Sequence, residues 1–224
     1  MIDKIQPAIV EALQIIPDGA CIMVGGFGEA GVPFELLHTL RELGRRDLTI
    51  ISNNAGTYER GIASLIAAGL VRKVICSHPR PSNSEVFAAA YRAGRVELEV
   101  TPQGTLAERL RAAGAGLGPF FTPTGYGTRL AEGKETRVVD GVGYVLEQPL
   151  RGDFALIKAD LGDRWGNLTY RLAARNFNPV MCMAARHTIA QVGRVVKLGE
   201  LAPEHVMTPG IFVNTVVPVG QAQA

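Results

Sequence analysis

Short, mainly apolar segments alternate along the chain with stretches in which apolar residues recur at helical spacing. Residues 20–24 and 48–52 are of the first kind, and residues 33–43 are of the second. This alternation predicts strands that alternate with helices, as in α/β proteins with a parallel central sheet. We therefore expect an open, largely parallel sheet flanked by helices, in a single domain of residues 1–224.

The same pattern predicts the bounds of the individual elements. We predict helices over residues 5–16, 33–43, 62–68, 84–93, 106–113 and 177–185. We predict strands over residues 20–24, 48–52, 74–76, 96–100, 154–158, 188–192 and 212–216, and a hairpin of residues 137–139 with 143–146. Residues 114–127 are rich in Gly and Pro, and we interpret them as a long ordered loop.

The first predicted strand runs into a glycine-rich loop, and a helix begins near Pro33. Glycine allows positive φ and lets the backbone approach a ligand closely. The N-terminus of a helix adds unpaired N–H groups and a partial positive charge. This arrangement predicts a site for a phosphate or an oxyanion. The loop residues are Gly25, Gly26, Phe27, Gly28, Glu29, Ala30 and Gly31.

Two other interpretations of this loop stay open. Gly26, Gly28 and Gly31 satisfy the Gly-x-Gly-x-x-Gly spacing of dinucleotide-binding proteins. The second predicted strand, however, leads into Asn53 and Asn54 instead of the acidic residue that would bind a ribose. The glycines could also form a purely structural turn.

Composition narrows the class of protein. The chain has 224 residues, 47% of them hydrophobic and 20% charged, which is enough to bury a large core. The net charge is +2, and the basic residues are spread along the chain, so we do not expect nucleic-acid binding. The four histidines, His38, His78, His187 and His205, lack metal-ligand spacing, so we expect no metal site.

Cysteine usage and hydropathy point to a cellular compartment. Cys21, Cys76 and Cys182 stand far apart in apolar contexts, which predicts buried free thiols and a reducing environment. We find neither a leader-like segment nor an apolar run of about 18 residues, so we expect neither export nor membrane insertion. The sequence therefore predicts a cytoplasmic protein.

Seven segments together resemble the family I coenzyme A transferases, and in particular the α subunit of the 3-oxoacid CoA-transferases. The resemblance covers essentially the whole chain. It is carried by residues 18–33 (DGACIMVGGFGEAGVP), 52–56 (SNNAG), 101–109 (TPQGTLAER), 122–128 (TPTGYGT), 163–170 (DRWGNLTY), 174–178 (ARNFN) and 208–213 (TPGIFV).

The resemblance implies acyl exchange through a covalent intermediate. In the family, a glutamate carboxylate attacks the acyl-CoA thioester, and the CoA thiolate returns to give a glutamyl-CoA thioester. Each addition builds an oxyanion that needs preorganised donors. The resemblance also implies that CoA thioesters, such as succinyl-CoA, are substrates and that no cofactor is tightly bound.

The family places the glutamate in a Ser-Glu-Asn-Gly block on a β subunit. This chain has no such block. Its nearest fragment, residues 83–85, falls at a predicted helix start, where Asn83 or Ser84 would serve as N-cap. The resemblance therefore implies half of an active site, completed by a glutamate-bearing β subunit, most simply in an α2β2 assembly.

We assign residues 25–31 to coenzyme A or to the acyl oxyanion. Gln103 follows a predicted strand and is a candidate donor to the reacting acyl group, although it could simply begin a helix. Asn53 and Asn54 could orient a carboxylate or the pantetheine amide, or could cap a turn. We expect Trp165 and residues 174–178 to pack the fold or the subunit interface.

Arg80 is the candidate for substrate choice. It follows the strand that ends at Cys76, and its guanidinium could pair with the far carboxylate of a dicarboxylate such as 3-oxoadipate or succinate. The alternative is that Arg80 is a solvated charge on a loop. In the 3-oxoadipate branch of the family the matching block is Ser-Phe-Pro-Arg, so His78 replaces an aromatic residue, which leaves the shape of the pocket open. Acetoacetate is the alternative acceptor. A more distant alternative is that the chain is a noncatalytic CoA- or dinucleotide-binding module.

Overall fold

The structure, a computed structural model, describes residues 2–79 and 83–220. The strands are β1 (Cys21–Val24), β2 (Leu48–Asn54), β3 (Val71–His78), β4 (Glu97–Val100), β5 (Phe120–Thr122), β6 (Thr136–Val139), β7 (Val142–Glu147), β8 (Gly152–Asp163), β9 (Leu168–Thr169), β10 (Ala185–Val196) and β11 (Thr215–Pro218). The α-helices are α1 (Ile9–Leu13), α2 (Phe34–Leu43), α3 (Ile62–Ala67), α4 (Glu85–Arg92), α5 (Gln103–Gly114) and α6 (Asn178–Ala184). Short 3₁₀ helices occupy Arg129–Ala131, Leu172–Arg175, Pro203–His205 and Gly210–Phe212.

The main sheet has the strand order β11-β10-β8-β1-β2-β3-β4, and these strands run parallel. The short β9 pairs antiparallel with β8. Strand β1 lies between β2, the next strand in the chain, and β8, which follows much later. The order therefore reverses at β1, and ligand sites of open α/β sheets lie at such a point, beyond the carboxyl ends of the strands. The predicted sheet is confirmed.

Successive residues of a strand lie on opposite faces of the sheet, and both faces are buried. In β1, Ile22 and Val24 pack on one face and Met23 on the other, and all three are fully buried. The first face is covered by α1, α2, α3 and α4, and the second by α5 and α6. The two layers of helices hold the carboxyl ends of β1, β2 and β3 in fixed relative positions.

The first helix is shorter than predicted. Residue 5 forms a parallel bridge with Val216, and the N–H of Gln6 donates to the Val216 carbonyl at 2.9 Å. Pro7 disfavours helical backbone at the preceding residue, so the helix begins only at Ile9. Pairing with β11 thus replaces the first turn of the predicted helix.

The prediction of a long loop over residues 114–127 is wrong in part. Helix α5 extends to Gly114, and Phe120–Thr122 forms β5 of a small antiparallel sheet with the order β5-β7-β6. Pairing with β7 makes these three residues a strand despite the flanking Gly and Pro. The strand predicted over residues 212–216 also shifts, because residues 210–212 form a 3₁₀ turn and pairing begins at Thr215.

No helix in residues 2–79 or 83–220 has both the length and the apolar composition that crossing a bilayer requires.

Arg109 of α5 joins the main sheet to the small one. Its side chain is 12% exposed and lies 3.1 Å from a Glu99 carboxylate oxygen of β4 and 3.8 Å from one of Glu147 of β7. Its Nε also donates to the Gln148 carbonyl at 2.9 Å. Burial of Glu99 opposes ionisation, but hydrogen bonds from Lys73 and Arg109 outweigh it and hold the pKa of Glu99 below its usual value.

We predict that Arg109→Ala lowers the free energy of unfolding by about 2–3 kcal/mol, because Glu99 loses a cation at 3.1 Å and Glu147, whose side chain is 5% exposed, keeps only Lys134 as a partner among the described residues. This corresponds to a fall in Tm of roughly 5–10 °C. The matched control is Arg111→Ala on the same helix, whose pair with Glu108 is exposed and contributes less than about 0.5 kcal/mol. Equal effects in thermal unfolding would contradict the prediction.

Candidate functional site

A cavity of about 520 Å³ lies at the carboxyl ends of β1, β2 and β3, where the strand order reverses. The register of β2 with β3 brings Asn54 opposite His78, and Gln103 begins α5 just beyond β4. The structure thus brings together residues from four segments that are distant in sequence. The lining residues are Phe27, Gly28, Asn53, Asn54, Ser77, His78 and Gln103.

Asn53 connects two of these segments through its side chain. Its Oδ1 accepts hydrogen bonds from Gln103 Nε2 at 2.8 Å and from Ser77 Oγ at 3.0 Å, and the residue is 5% exposed. The amide group of Gln103 carries a second N–H, which an acyl oxygen in the cavity could accept. Asn53 therefore orients Gln103, whose own side chain is exposed.

Asn54 connects the glycine loop with the turn after β2. Its Oδ1 accepts the Gly56 N–H at 2.8 Å, and its Nδ2 donates to the Gly28 carbonyl at 3.4 Å. The first bond is the turn cap that the sequence offered as an alternative. The second means that Asn54 also positions Gly28, and its direct binding of a ligand stays a prediction.

Glu29 projects from the loop toward α3. Its carboxylate accepts from Arg60 Nε and from Thr57 Oγ1, each at 3.0 Å, and a second guanidinium nitrogen completes a bidentate pair. The hydrogen bonds from Arg60 lower the pKa of Glu29. The Arg60 guanidinium also lies 4.9 Å above the Phe34 ring. Glu29 thus forms an ion pair that connects the loop to Arg60.

The glycines of the loop serve different purposes. A Cβ at Gly25 would overlap the Asn178 amide, one at Gly26 the Val32 side chain, and one at Gly31 the Ala174 carbonyl. A Cβ at Gly28 would meet nothing within 4 Å, and its φ is +57°. Among these four glycines, Gly28 is the one that lines the cavity. The assignment of residues 25–31 to a ligand stays a prediction.

The N-terminus of α2 is occupied by the protein itself. The Leu36 N–H donates to Gln191 Oε1 at 3.4 Å, and the Gln191 amide also contacts the Glu35 carboxylate. The Leu36 N–H is therefore already paired, and the expectation that this helix N-terminus helps to bind an anion stays a prediction. A dinucleotide would place its pyrophosphate at this N-terminus.

Helix α5 instead begins at the cavity. Gln103 is its first residue, and a Cβ at Gly104 would meet nothing within 4 Å. Gln103 and Phe27 also line an adjoining cavity of about 530 Å³, whose other walls include the apolar side chains of Phe177 and Met183. The two cavities therefore meet at Phe27 and Gln103.

The described lining of the first cavity offers neutral donors but no carboxylate. Ser77 Oγ lies 3.0 Å from both the carbonyl oxygen and Oδ1 of Asn53, to which it donates, so it has no activating base. Burial raises the pKa of the neighbouring Cys76 thiol to about 12. Within the described residues, the cavity can orient an acyl group and stabilise its oxyanion, but it supplies no activated nucleophile.

Other sequence predictions have mixed outcomes. Ser84 is the N-cap of α4 as predicted, although its side chain makes no capping hydrogen bond, and Asn83 has a φ of 59°. Arg80 lies outside the described residues, so its role stays a prediction. Sequence reasoning placed His78 beside the substrate pocket but did not name Ser77, which also lines the cavity. Its position directly after Cys76, near the end of a strand, was the available signal.

The family model for coenzyme A transferases matches residues 7–218. Together with the fold and the cavity, this match shows that the chain belongs to the coenzyme A transferase family.

Two relatives have names that are more specific than the family's. The chain is 65% identical over 224 residues to the A subunit of the 3-oxoadipate CoA-transferase of Pseudomonas putida, covering 100% of this chain and 97% of that one. It is 44% identical over 214 residues to the A subunit of a probable succinyl-CoA:3-ketoacid coenzyme A transferase of Bacillus subtilis, covering 96% and 89%.

A solved structure agrees with the fold. An acyl-CoA transferase of Escherichia coli O157:H7, in a thioester complex with CoA, matches with a TM-score of 0.84 at 24% identity. The match covers 97% of this chain and 47% of that one.

We predict that iodoacetamide at pH 8 leaves Cys76 and Cys182 of the native protein unmodified. Burial raises the pKa of both thiols to about 12, so only about one molecule in ten thousand carries the reactive thiolate at either position. Cys21, with a pKa of about 11 and partial exposure, reacts slowly. Peptide mass spectrometry before and after denaturation measures this, and rapid native labelling of Cys76 would contradict it.

Proposed function

We propose that this chain is the α subunit of a CoA-transferase that moves CoA from succinyl-CoA to 3-oxoadipate. The observation that carries the proposal is the chemistry of the cavity. Its described residues provide neutral hydrogen-bond donors at the reversal of the strand order and no carboxylate. Such a site stabilises an oxyanion and leaves the nucleophile to another chain.

In the proposed reaction, a glutamate of the partner β subunit enters the cavity and attacks the thioester carbonyl. The C–S bond breaks, and CoA leaves as thiolate, which then attacks the resulting anhydride and releases the acyl carboxylate. The second N–H of the Gln103 amide and the backbone at Gly28 stabilise the oxyanions. The acceptor carboxylate reverses both steps, so the exchange needs no external base.

The adjoining cavity suits the rest of the CoA thioester. Its apolar walls fit an extended aliphatic chain, and Arg111 and Arg175 at its margin carry positive charge. Coenzyme A enters as substrate in this proposal, and no resident cofactor is required. The free cysteines fit a reducing compartment such as the cytoplasm.

The choice of 3-oxoadipate rests on two supports. Identity is higher to the 3-oxoadipate enzyme of Pseudomonas putida, 65%, than to the 3-ketoacid enzyme of Bacillus subtilis, 44%. Arg80 would pair with the distal carboxylate that 3-oxoadipate has and acetoacetate lacks. Acetoacetate stays the second candidate because the Bacillus subtilis relative is named for 3-ketoacids.

The partner subunit follows from the same reasoning. The Pseudomonas putida relative is named as one subunit of its enzyme, and the Escherichia coli enzyme, of which this chain matches 47%, is about twice as long. We propose that a separate β subunit supplies the remaining half, in an α2β2 assembly.

The test is an assay of CoA transfer from succinyl-CoA, by this chain alone and after co-purification with a candidate β subunit. We expect activity only from the pair, with a higher kcat/KM for 3-oxoadipate than for acetoacetate. Preference for acetoacetate would contradict the proposal that 3-oxoadipate is the acceptor. Activity of this chain alone would contradict the proposal that it holds only half of the active site.

We predict that Gln103→Ala in the paired enzyme lowers kcat by about 10²-fold and changes KM by less than about threefold, because one oxyanion donor is lost. Gln103→Glu keeps the shape but places negative charge beside the oxyanion, so it should lower kcat further. Gln14→Ala, at an exposed position after α1, is the control. A raised KM with normal kcat would indicate a binding role instead.

A further inference from the structure

Residues 174–178 lie against the glycine loop and contact Gly26, Ala30 and Gly31. They include the end of the 3₁₀ helix Leu172–Arg175 and the first residue of α6. Two asparagine side chains of this segment, Asn176 and Asn178, hydrogen-bond to the loop. Asn176 also lines the adjoining cavity, but the reaction described above gives neither side chain a role.

Asn176 joins the two ends of the loop. Its Oδ1 accepts the Gly26 N–H at 3.1 Å, and its Nδ2 donates to the Ala30 carbonyl at 2.9 Å and to the Ala173 carbonyl at 2.8 Å. Both amide protons are therefore used within the protein, and none is left for a ligand. The backbone of Asn176 has a φ of 21° and a ψ of −119°, a conformation that the surrounding contacts must enforce.

Asn178 joins the loop to the main sheet. It is fully buried, and its Nδ2 donates to the Gly31 carbonyl at 3.2 Å and to the Ala174 carbonyl at 2.8 Å. Its Oδ1 accepts the Lys158 N–H of β8 at 3.1 Å. This amide is also saturated, and it ties the end of the loop to the strand next to β1.

The two asparagines also explain two glycines. A Cβ at Gly25 would overlap the Asn178 side chain, and one at Gly31 would collide with Asn178, Asn176 and the Ala174 carbonyl. Gly25 is not among the residues with positive φ, so its backbone would accept alanine. Its requirement for glycine therefore comes from the space that Asn178 occupies.

We propose that Asn176 and Asn178 are positioning residues that fix residues 25–31 so that Gly28 faces Gln103 and Asn53 across the cavity. The exposed Glu29–Arg60 pair is a further contact of the loop, made outside this segment. Oxyanion donors must be held in place before the reaction, and displacement by a fraction of an ångström lowers the rate. The link to catalysis rests on the proposed transferase function, but the link to Gly25 does not.

The first experiment is a double-mutant cycle of Gly25→Ala and Asn178→Ala, measured by thermal unfolding of the full chain. Each single variant should lower Tm, because one introduces an overlap and the other removes the hydrogen bonds to Gly31, Ala174 and Lys158. Since Asn178→Ala vacates the space, the double variant should lose at least about 2 °C less than the sum of the single losses. If Gly25→Ala yields no soluble protein, recovery of soluble protein by the added Asn178→Ala supports the proposal equally. Additive losses, or no recovery, would overturn it.

The second experiment tests positioning with Asn176→Asp in the paired enzyme. Aspartate keeps the acceptor for Gly26 but loses the donor to Ala30. We expect kcat to fall by about 10- to 100-fold, with KM for succinyl-CoA changed by less than about threefold.

Asn167→Ala is the matched control for this second experiment. Asn167 makes the same kind of amide bridge, but to Asp163 and Gly210 instead of the loop. It should lower Tm without changing kcat. If Asn176→Asp and Asn167→Ala change kcat equally at equal loss of Tm, Asn176 is merely structural. A pair without any transferase activity would refute the proposed function, while the first experiment would still decide the role of Asn178.

Discussion

The geometry of the site depends on how the side-chain amides of Asn54, Asn176 and Asn178 hold the backbone of residues 25–31. The loop has few side chains of its own with which to hold its shape, and four of its seven residues are glycine. Asn54 bonds to it from the β2 side, and Asn176 and Asn178 from the α6 side. These bonds pair backbone groups of the loop, including those of the buried Gly26 and Gly31, and so restrict its conformation.

Glycine stands in this loop for two different reasons, and the sequence alone cannot tell them apart. Gly25 and Gly31 make room for amides from residues 174–178, whereas Gly28 leaves open space at the cavity. The sequence does predict that the loop, Asn53, Asn54 and Gln103 lie near one another, since each follows a strand of a parallel sheet. It does not predict Asn176 and Asn178 as their support, because about 150 residues separate Asn176 from Gly26.

The helices and strands likewise divide into those that a local pattern predicts and those that depend on distant residues. Elements with a clear apolar period, such as α2, were predicted within one residue of their observed bounds. The misplaced elements depend on pairing between distant residues. Residue 5 joins β11, and β5 forms only against β7. A local pattern carries no information on such pairs, and tertiary pairing overrides the local preference.

In this account, the chain supplies neutral, preoriented donors, and the partner supplies the charged nucleophile. Intact-mass spectrometry of the paired subunits, denatured after incubation with succinyl-CoA, tests this division most directly. The account predicts that the mass of covalently bound CoA appears on the β subunit, while this chain stays unmodified. A CoA adduct on this chain would contradict it, because the nucleophile would then lie here.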